Sequence, residues 1–199
     1  MLNGIPVKAV DLDGWTYLTD VARNAGLSEE AIKHAEDDFY GPEVLERSQS
    51  VLYIKPVIQK TLAYFGPERN FILTSRNAEF KDVTLAWFKA KFPGIKPENI
   101  LIRGKGDSLG GTEFKIQKLK EIASKAPWVV FVDDALKFVQ AAVEEDIPNC
   151  LVINIPQGKT KPDFTHERLF VIKRYPDELQ AVYPFMDALD RALRNGKSP

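Results

Sequence analysis

Cysteine is almost absent: Cys150 is the only one among 199 residues. A lone thiol closes no intrachain disulfide, so the chain is not a disulfide scaffold. Its place in the apolar run Cys150–Ile155 marks it as a small buried hydrophobe rather than a reactive group. Histidine is scarce as well, and His34 and His166 are too isolated to build a nitrogen-rich metal centre. No apolar run approaches the ~20 residues needed to cross a bilayer. Residues 1–7 lack the charged leader and apolar stretch of a secretion signal. These absences point to a cytoplasmic protein with no membrane partner and no obligate protein partner evident. A strong excess of one charge is missing too. The net charge is −1, but the first fifty residues hold 4 basic and 10 acidic side chains against 23 and 18 in the rest. An acidic front argues against that segment gripping a long polyanion, whereas the mildly basic remainder permits phosphate ligands. Internal repeats and low-complexity tracts are absent, and with no GxxxxGK[ST] loop there is no P-loop kinase domain.

What remains is an ordinary globular composition, 44% apolar and 28% charged, in a chain long enough for one core plus a small accessory piece. Short apolar runs at Val7–Asp11, Asn70–Leu73, Ile100–Arg103, Trp128–Val132 and Leu151–Ile155 predict buried strands. Amphipathic segments at Pro56–Phe65, Glu79–Phe92, Glu113–Ser124 and Leu136–Glu145 alternate with them. Leu85, Phe88 and Phe92 make one helical face, and Ile116, Leu119 and Ala123 another. Alternating strands and helices predict an α/β fold, a Rossmann-like parallel sheet with helices on both faces, in a single domain over residues 1–199. Leu169–Ile172 adds a late strand. Leu179, Val182, Met186, Leu189 and Leu193 form a closing helix whose apolar face covers the core or makes a dimer seam. Between Asp11 and Asn70 lie 58 residues, far more than one crossover helix needs. Ser28 followed by Glu29 and Glu30 looks like a helix N-cap with an acidic first turn, and Gly41-Pro42 divides the helix-rich stretch in two. Residues 18–52 therefore read as a small helical cap inserted after the first strand, hinged near Asp20 and Ile54, or as a long helical connection.

In open α/β sheets ligands bind beyond the carboxyl ends of the strands. The residues expected there are Asp11-Leu12-Asp13-Gly14, Thr74-Ser75-Arg76-Asn77, Arg103-Gly104-Lys105-Gly106 and Asp133-Asp134. Four carboxylates on one edge repel one another, and a hard divalent cation with oxygen ligands, such as Mg²⁺, relieves that. Lys115 lies in the first turn of a helix expected from Thr112. There it is either a solvated lysine or a cation strengthening an anion site at the helix N-terminus.

These motifs, in this order, resemble the haloacid dehalogenase-like (HAD) phosphohydrolase superfamily. The first, Val7-Lys8-Ala9-Val10-Asp11-Leu12-Asp13-Gly14, matches hhhhDxDG. The second is Phe71-Ile72-Leu73-Thr74. The third is Lys115, with Lys118 as a weaker candidate. The fourth is Val129-Val130-Phe131-Val132-Asp133-Asp134. The resemblance spans roughly residues 6–155 and implies an Mg²⁺-dependent phosphatase. It makes Asp11 the nucleophile and Asp13 the acid and base. Thr74 becomes a phosphoryl hydrogen-bond donor, Lys115 the stabiliser of transferring charge, and Asp11, Asp13 and Asp133 or Asp134 the metal ligands. One departure is Trp15, where the family carries a small residue; it stacks on a ring of the substrate or packs beneath the cap. Ser75, Arg76, Arg103 and Lys105 are candidate substrate contacts. Arg76 and Asn77 after Thr74-Ser75, the tract Arg103-Gly104-Lys105-Gly106-Asp107 before Phe114-Lys115, and the paired Asp133-Asp134 look similar to the phosphatase domain of polynucleotide kinase/phosphatase proteins and to nucleotidase relatives. The substrate implied is a phosphate on a nucleotide or oligonucleotide end, or on a generic sugar or metabolite. A catalytically silent binding protein on the same fold is the non-enzymatic alternative. A receiver-type phosphoacceptor fits poorly, because the lysine here precedes the fourth expected strand.

Overall fold

The computed structural model describes residues 17–40, 42–47, 54–76, 78–104, 108–155 and 162–171. The expected strand at Val7–Asp11 and the closing helix over Leu179–Leu193 lie outside them. The chain divides into two compact units, Met1–Phe114 and Lys115–Pro199.

In the first unit, α1 (Tyr17–Asn24), α2 (Glu29–Tyr40), α3 (Pro42–Arg47) and α4 (Ile54–Phe65) lead to strand β1 (Ile72–Thr74). Helix α5 (Lys81–Lys91) then leads to strand β2 (Ile100–Ile102). The expected N-cap is present: Ser28 Oγ accepts the Ala31 amide hydrogen at 3.2 Å. The expected break is present too, α2 ending at Tyr40 and α3 opening on Pro42, whose missing N–H suits a first helical turn. Within residues 18–52, α3 packs against α5. The strand expected from Asn70 begins two residues later for a clear reason. Asn70 closes α4 instead, its Nδ2 donating to Gly66 O at 2.7 Å and Thr61 O at 3.2 Å. β1 and β2 are parallel, with Thr74 opposite Ile102. Phe92, Ile95 and Ile100 form the buried centre, and Ile58, Leu62 and Phe88 pack around it.

Helix α6 (Gly111–Ala123) contains the junction between the two units. In the second unit, strand β3 (Val129–Asp133), helix α7 (Leu136–Glu144), and strands β4 (Cys150–Asn154) and β5 (Leu169–Val171) follow. These strands form a parallel sheet in the order β3-β4-β5. The α6 face expected from the sequence is the buried one: Ile116, Leu119 and Ala123 are all inside, as are Val139, Val152 and Ile153. Burying each of the larger side chains stabilises the fold by roughly 1.5–3 kcal/mol. The described architecture is therefore mixed α/β, with parallel strands in two small sheets. Among the described residues, no helix is long and apolar enough to cross a membrane.

Cys150 is buried at the start of β4, and desolvation pushes its thiol up to about 12. The thiol is thus neutral in the fold up to that pH, whereas an unfolded cysteine ionises near ~8.5. Raising a thiol's folded value gives stability that is complete below the unfolded value and is lost as pH climbs through the folded one. Wild type is expected to lose stability relative to Cys150→Ala between about pH 9 and 12. Paired urea titrations across that window check it, and parallel curves contradict it. A thiol reagent at pH 8 should label Cys150 only once the chain is unfolded.

Candidate active site

Lys115 and Asp133 are the expected site residues that the second unit brings into contact. Lys115 lies one helical turn before Leu119, so the apolar stripe of α6 carries it inward. Asp133 is the last residue of β3, two positions beyond buried Phe131 and on the same face. The Lys115 ammonium lies 2.6 Å from Asp133 Oδ2, with both side chains more than nine-tenths buried. The remaining carboxylate oxygen of Asp133, Oδ1, accepts the Ala135 amide hydrogen at 2.9 Å. The ring of Phe138 on α7 lies beneath the ammonium, 3.8 Å from its nitrogen to the ring centroid. An ammonium offers three N–H donors, and one of them reaches Asp133.

The helix starts at Gly111 rather than Thr112, so Lys115 occupies the second turn and does not oppose the helix dipole from the first. Lys118, the other lysine considered, pairs with Glu121 at 2.8 Å on the partly solvated side. Asp134 follows Asp133 just beyond the strand and is half-buried.

The first unit places Thr74 at the carboxyl end of β1. Its Oγ1 accepts the Arg76 amide hydrogen at 3.3 Å, a turn that ties down the start of the following loop. A hydroxyl that accepts in this way keeps its own hydrogen to donate. Arg103 lies just past β2. Its Nε donates to Ser75 O at 3.0 Å and its Nη1 to Leu109 O at 3.3 Å. Its guanidinium therefore joins the segment after β1 to the segment leading into α6. Gly111 approaches the same place closely: a Cβ added there would fall 2.9 Å from Ser75 Cβ, so the position needs glycine for room. Asp11, Asp13, Trp15 and Lys105 lie outside the described residues.

Against family models, curated proteins and solved structures, the chain matches none. The assignment of chemistry therefore rests on the residues themselves.

One site residue was not singled out by the motifs. Asn154 ends β4, directly opposite Asp133 in the parallel register, so the two side chains share a face of the sheet. It is 1% exposed. Its Nδ2 donates to Asp133 O at 3.2 Å, and its Oδ1 has no partner. An amide interrupting the apolar run Leu151-Val152-Ile153-Asn154-Ile155 is the sequence signal that marks it.

Among the described residues no three His, Cys, Asp or Glu side chains gather into a metal-binding group. The donors that the second unit does supply at this strand end are carboxylate and amide oxygens, including the unmet Asn154 Oδ1. Hard oxygen donors of this kind fit Mg²⁺ or Mn²⁺ and not a thiolate- or imidazole-seeking metal.

Proposed function

We propose that the chain is an Mg²⁺-dependent phosphohydrolase of the HAD-like kind, built on a Rossmann-like parallel sheet with helices on both faces. It cleaves a phosphate monoester through an aspartyl-phosphate on Asp11. The observation that carries this reading is the buried Lys115–Asp133 pair at the carboxyl end of β3. Desolvating two charges costs several kcal/mol per ion, and a buried pair usually gains little net stability over apolar residues of the same volume. A pair in that position, on a parallel sheet, is better explained by chemistry than by folding. The ordered motifs Asp11-Leu12-Asp13-Gly14, Thr74, Lys115 and Asp133-Asp134 supply the rest of the support.

In this reading a carboxylate oxygen of Asp11 attacks phosphorus while the ester P–O bond breaks, and Asp13 gives its proton to the leaving oxygen. Asp13 then takes a proton from water as the water oxygen attacks phosphorus. The bond to Asp11 breaks and inorganic phosphate leaves. The Thr74 hydroxyl donates to a phosphoryl oxygen, and the spare Lys115 donors neutralise charge on the transferring group. Asp11, Asp13 and Asp134 or Asp133 would hold the cation, which when bound lowers the repulsion between carboxylates and substrate.

The substrate proposed is a nucleotide or short oligonucleotide end, with Arg76, Lys105 and Trp15 as its contacts. Arg103, which holds the two loop carbonyls, acts by shaping that loop. The test is a panel of nucleoside monophosphates, 3′-phosphorylated oligonucleotides, hexose phosphates and an aryl phosphate, each with Mg²⁺ and with chelator. Sustained, chelator-sensitive turnover is expected. Absence of turnover across the panel removes the enzyme reading, and full activity after chelation removes the metal. A tenfold preference in kcat/KM for hexose phosphates, about 1.4 kcal/mol of transition-state binding, makes a general metabolite phosphatase the better description.

A further inference from the structure

Two buried side-chain atoms among the described residues have no hydrogen-bond partner, Thr84 Oγ1 and Asn154 Oδ1. Thr84 lies near the start of α5. Asn154 is different, because it stands beside Asp133 on the same face of the sheet. The orientation of its amide is fixed. Nδ2 must face Asp133 O, since a carbonyl can only accept, and this leaves Oδ1 as the unmet acceptor. The Asp133 carbonyl does not depend on Asn154, because it already accepts the Ile155 amide hydrogen at 3.0 Å. Asn154 is therefore poorly explained as a strut. Its Nδ2 bond supplements one that Asp133 O already has, and its one side-chain acceptor is left empty in a setting where a lost partner costs about 1–3 kcal/mol.

We infer that Asn154 joins Asp133 and Asp134 among the second unit's cation-holding residues, its Oδ1 taking a hard divalent cation directly or accepting from a water bound to it. This rests on the phosphohydrolase reading for the presence of the cation, and it adds a residue that the four motifs do not contain. A buried amide oxygen is a neutral ligand. It holds a hydrated cation in position without adding to the negative charge that a phosphate must approach. Outer partners of this kind typically contribute 10–100-fold to metal affinity.

The inference separates cleanly from a packing role. Asn154→Leu removes the unmet acceptor and fills its place with apolar atoms of similar volume. It should weaken Mn²⁺ binding by about tenfold or more, read by electron paramagnetic resonance of the free ion with no substrate present. The melting temperature of the metal-free chain should stay level or rise. Asn154→Asp keeps an oxygen at the same place and adds negative charge, so its Mn²⁺ affinity should exceed that of wild type severalfold. Where Asn154→Leu fails to fold, a severalfold gain in the affinity of Asn154→Asp supports the inference and an unchanged affinity overturns it. A packing role predicts the opposite pattern: lower metal-free melting temperatures in both variants and unchanged Mn²⁺ affinity in whichever folds. That result, or a wild-type chain that binds no Mn²⁺, overturns the inference. Phosphatase activity in wild type with unaltered Mn²⁺ binding in both variants overturns it while leaving the phosphohydrolase reading standing.

Discussion

Asp11→Asn is expected to lower kcat on a chromogenic aryl phosphate by roughly 10⁴-fold or more, as loss of a nucleophile does in other covalent mechanisms. The melting temperature should stay within a few degrees of wild type, since amide and carboxylate have nearly the same shape. A neutral amide oxygen attacks phosphorus poorly and binds a divalent cation weakly. Asp13→Asn should be almost as slow, yet different in kind. Blocking the base that activates water leaves the first displacement possible, so phosphorylated protein should accumulate, visible by intact mass and labile to hydroxylamine. Wild-type rates in Asp11→Asn end the aspartyl-phosphate mechanism. Loss of activity in both variants without any trapped phosphoprotein in Asp13→Asn leaves the cation dependence but removes the division of roles between the two carboxylates.

The second large effect is on stability. Lys115→Met should destabilise the fold by about 3–5 kcal/mol, because it leaves the Asp133 carboxylate buried with one backbone amide as its remaining partner. Lys115→Met combined with Asp133→Leu should recover most of that loss. The two apolar side chains fill the same volume, and both desolvation penalties disappear together. Urea titrations of the wild type, both singles and the double variant complete the cycle. The double variant should fold and be catalytically silent, which distinguishes a pair retained for chemistry from one retained for folding. If Lys115→Met costs under about 1 kcal/mol, the pair is not the buried contact described here. If the double variant is the least stable of the four, the pair contributes to the fold in its own right.

Periodicity exposed much of this in the sequence. The runs at Ile100, Val129 and Leu151 become strands within a residue or two of their expected limits, since short β-branched and aliphatic runs favour the extended chain of a sheet. Ile116, Leu119 and Ala123 are buried because three positions on one stripe have a single way to leave water. The Ser28 cap and the Gly41-Pro42 break are local chemistry and legible as such. What local pattern does not encode is the destination of a polar side chain. Nothing at Asn70 tells that it will close α4 rather than open β1, and nothing at Arg103 tells that its guanidinium will hold two loop carbonyls. Lys115 is intermediate. Its spacing from Leu119 puts it on the buried stripe, but only the meeting of α6 with the end of β3 brings a carboxylate to it, and only the register of β3 against β4 sets Asn154 at Asp133's side.

Two asparagines stand at the feet of the strands whose tips carry these groups. Asn99, immediately before β2, sends Nδ2 to Pro67 O at 3.0 Å and Asn70 O at 3.1 Å, on the segment that enters β1. Asn149, immediately before β4, sends its own Nδ2 to Ala126 O at 2.8 Å and Ala123 O at 2.9 Å, on the segment that leaves α6 toward β3. Strands of three to five residues have few rungs, and a ladder so short could shift along its neighbour. Each asparagine works as a foot bolt. It sets the height at which one strand stands against the next, and so the level at which Thr74 finishes beside Ile102 and Asp133 beside Asn154. In each of the two sheets the carboxyl end is levelled from the opposite end, by side chains that never come near it.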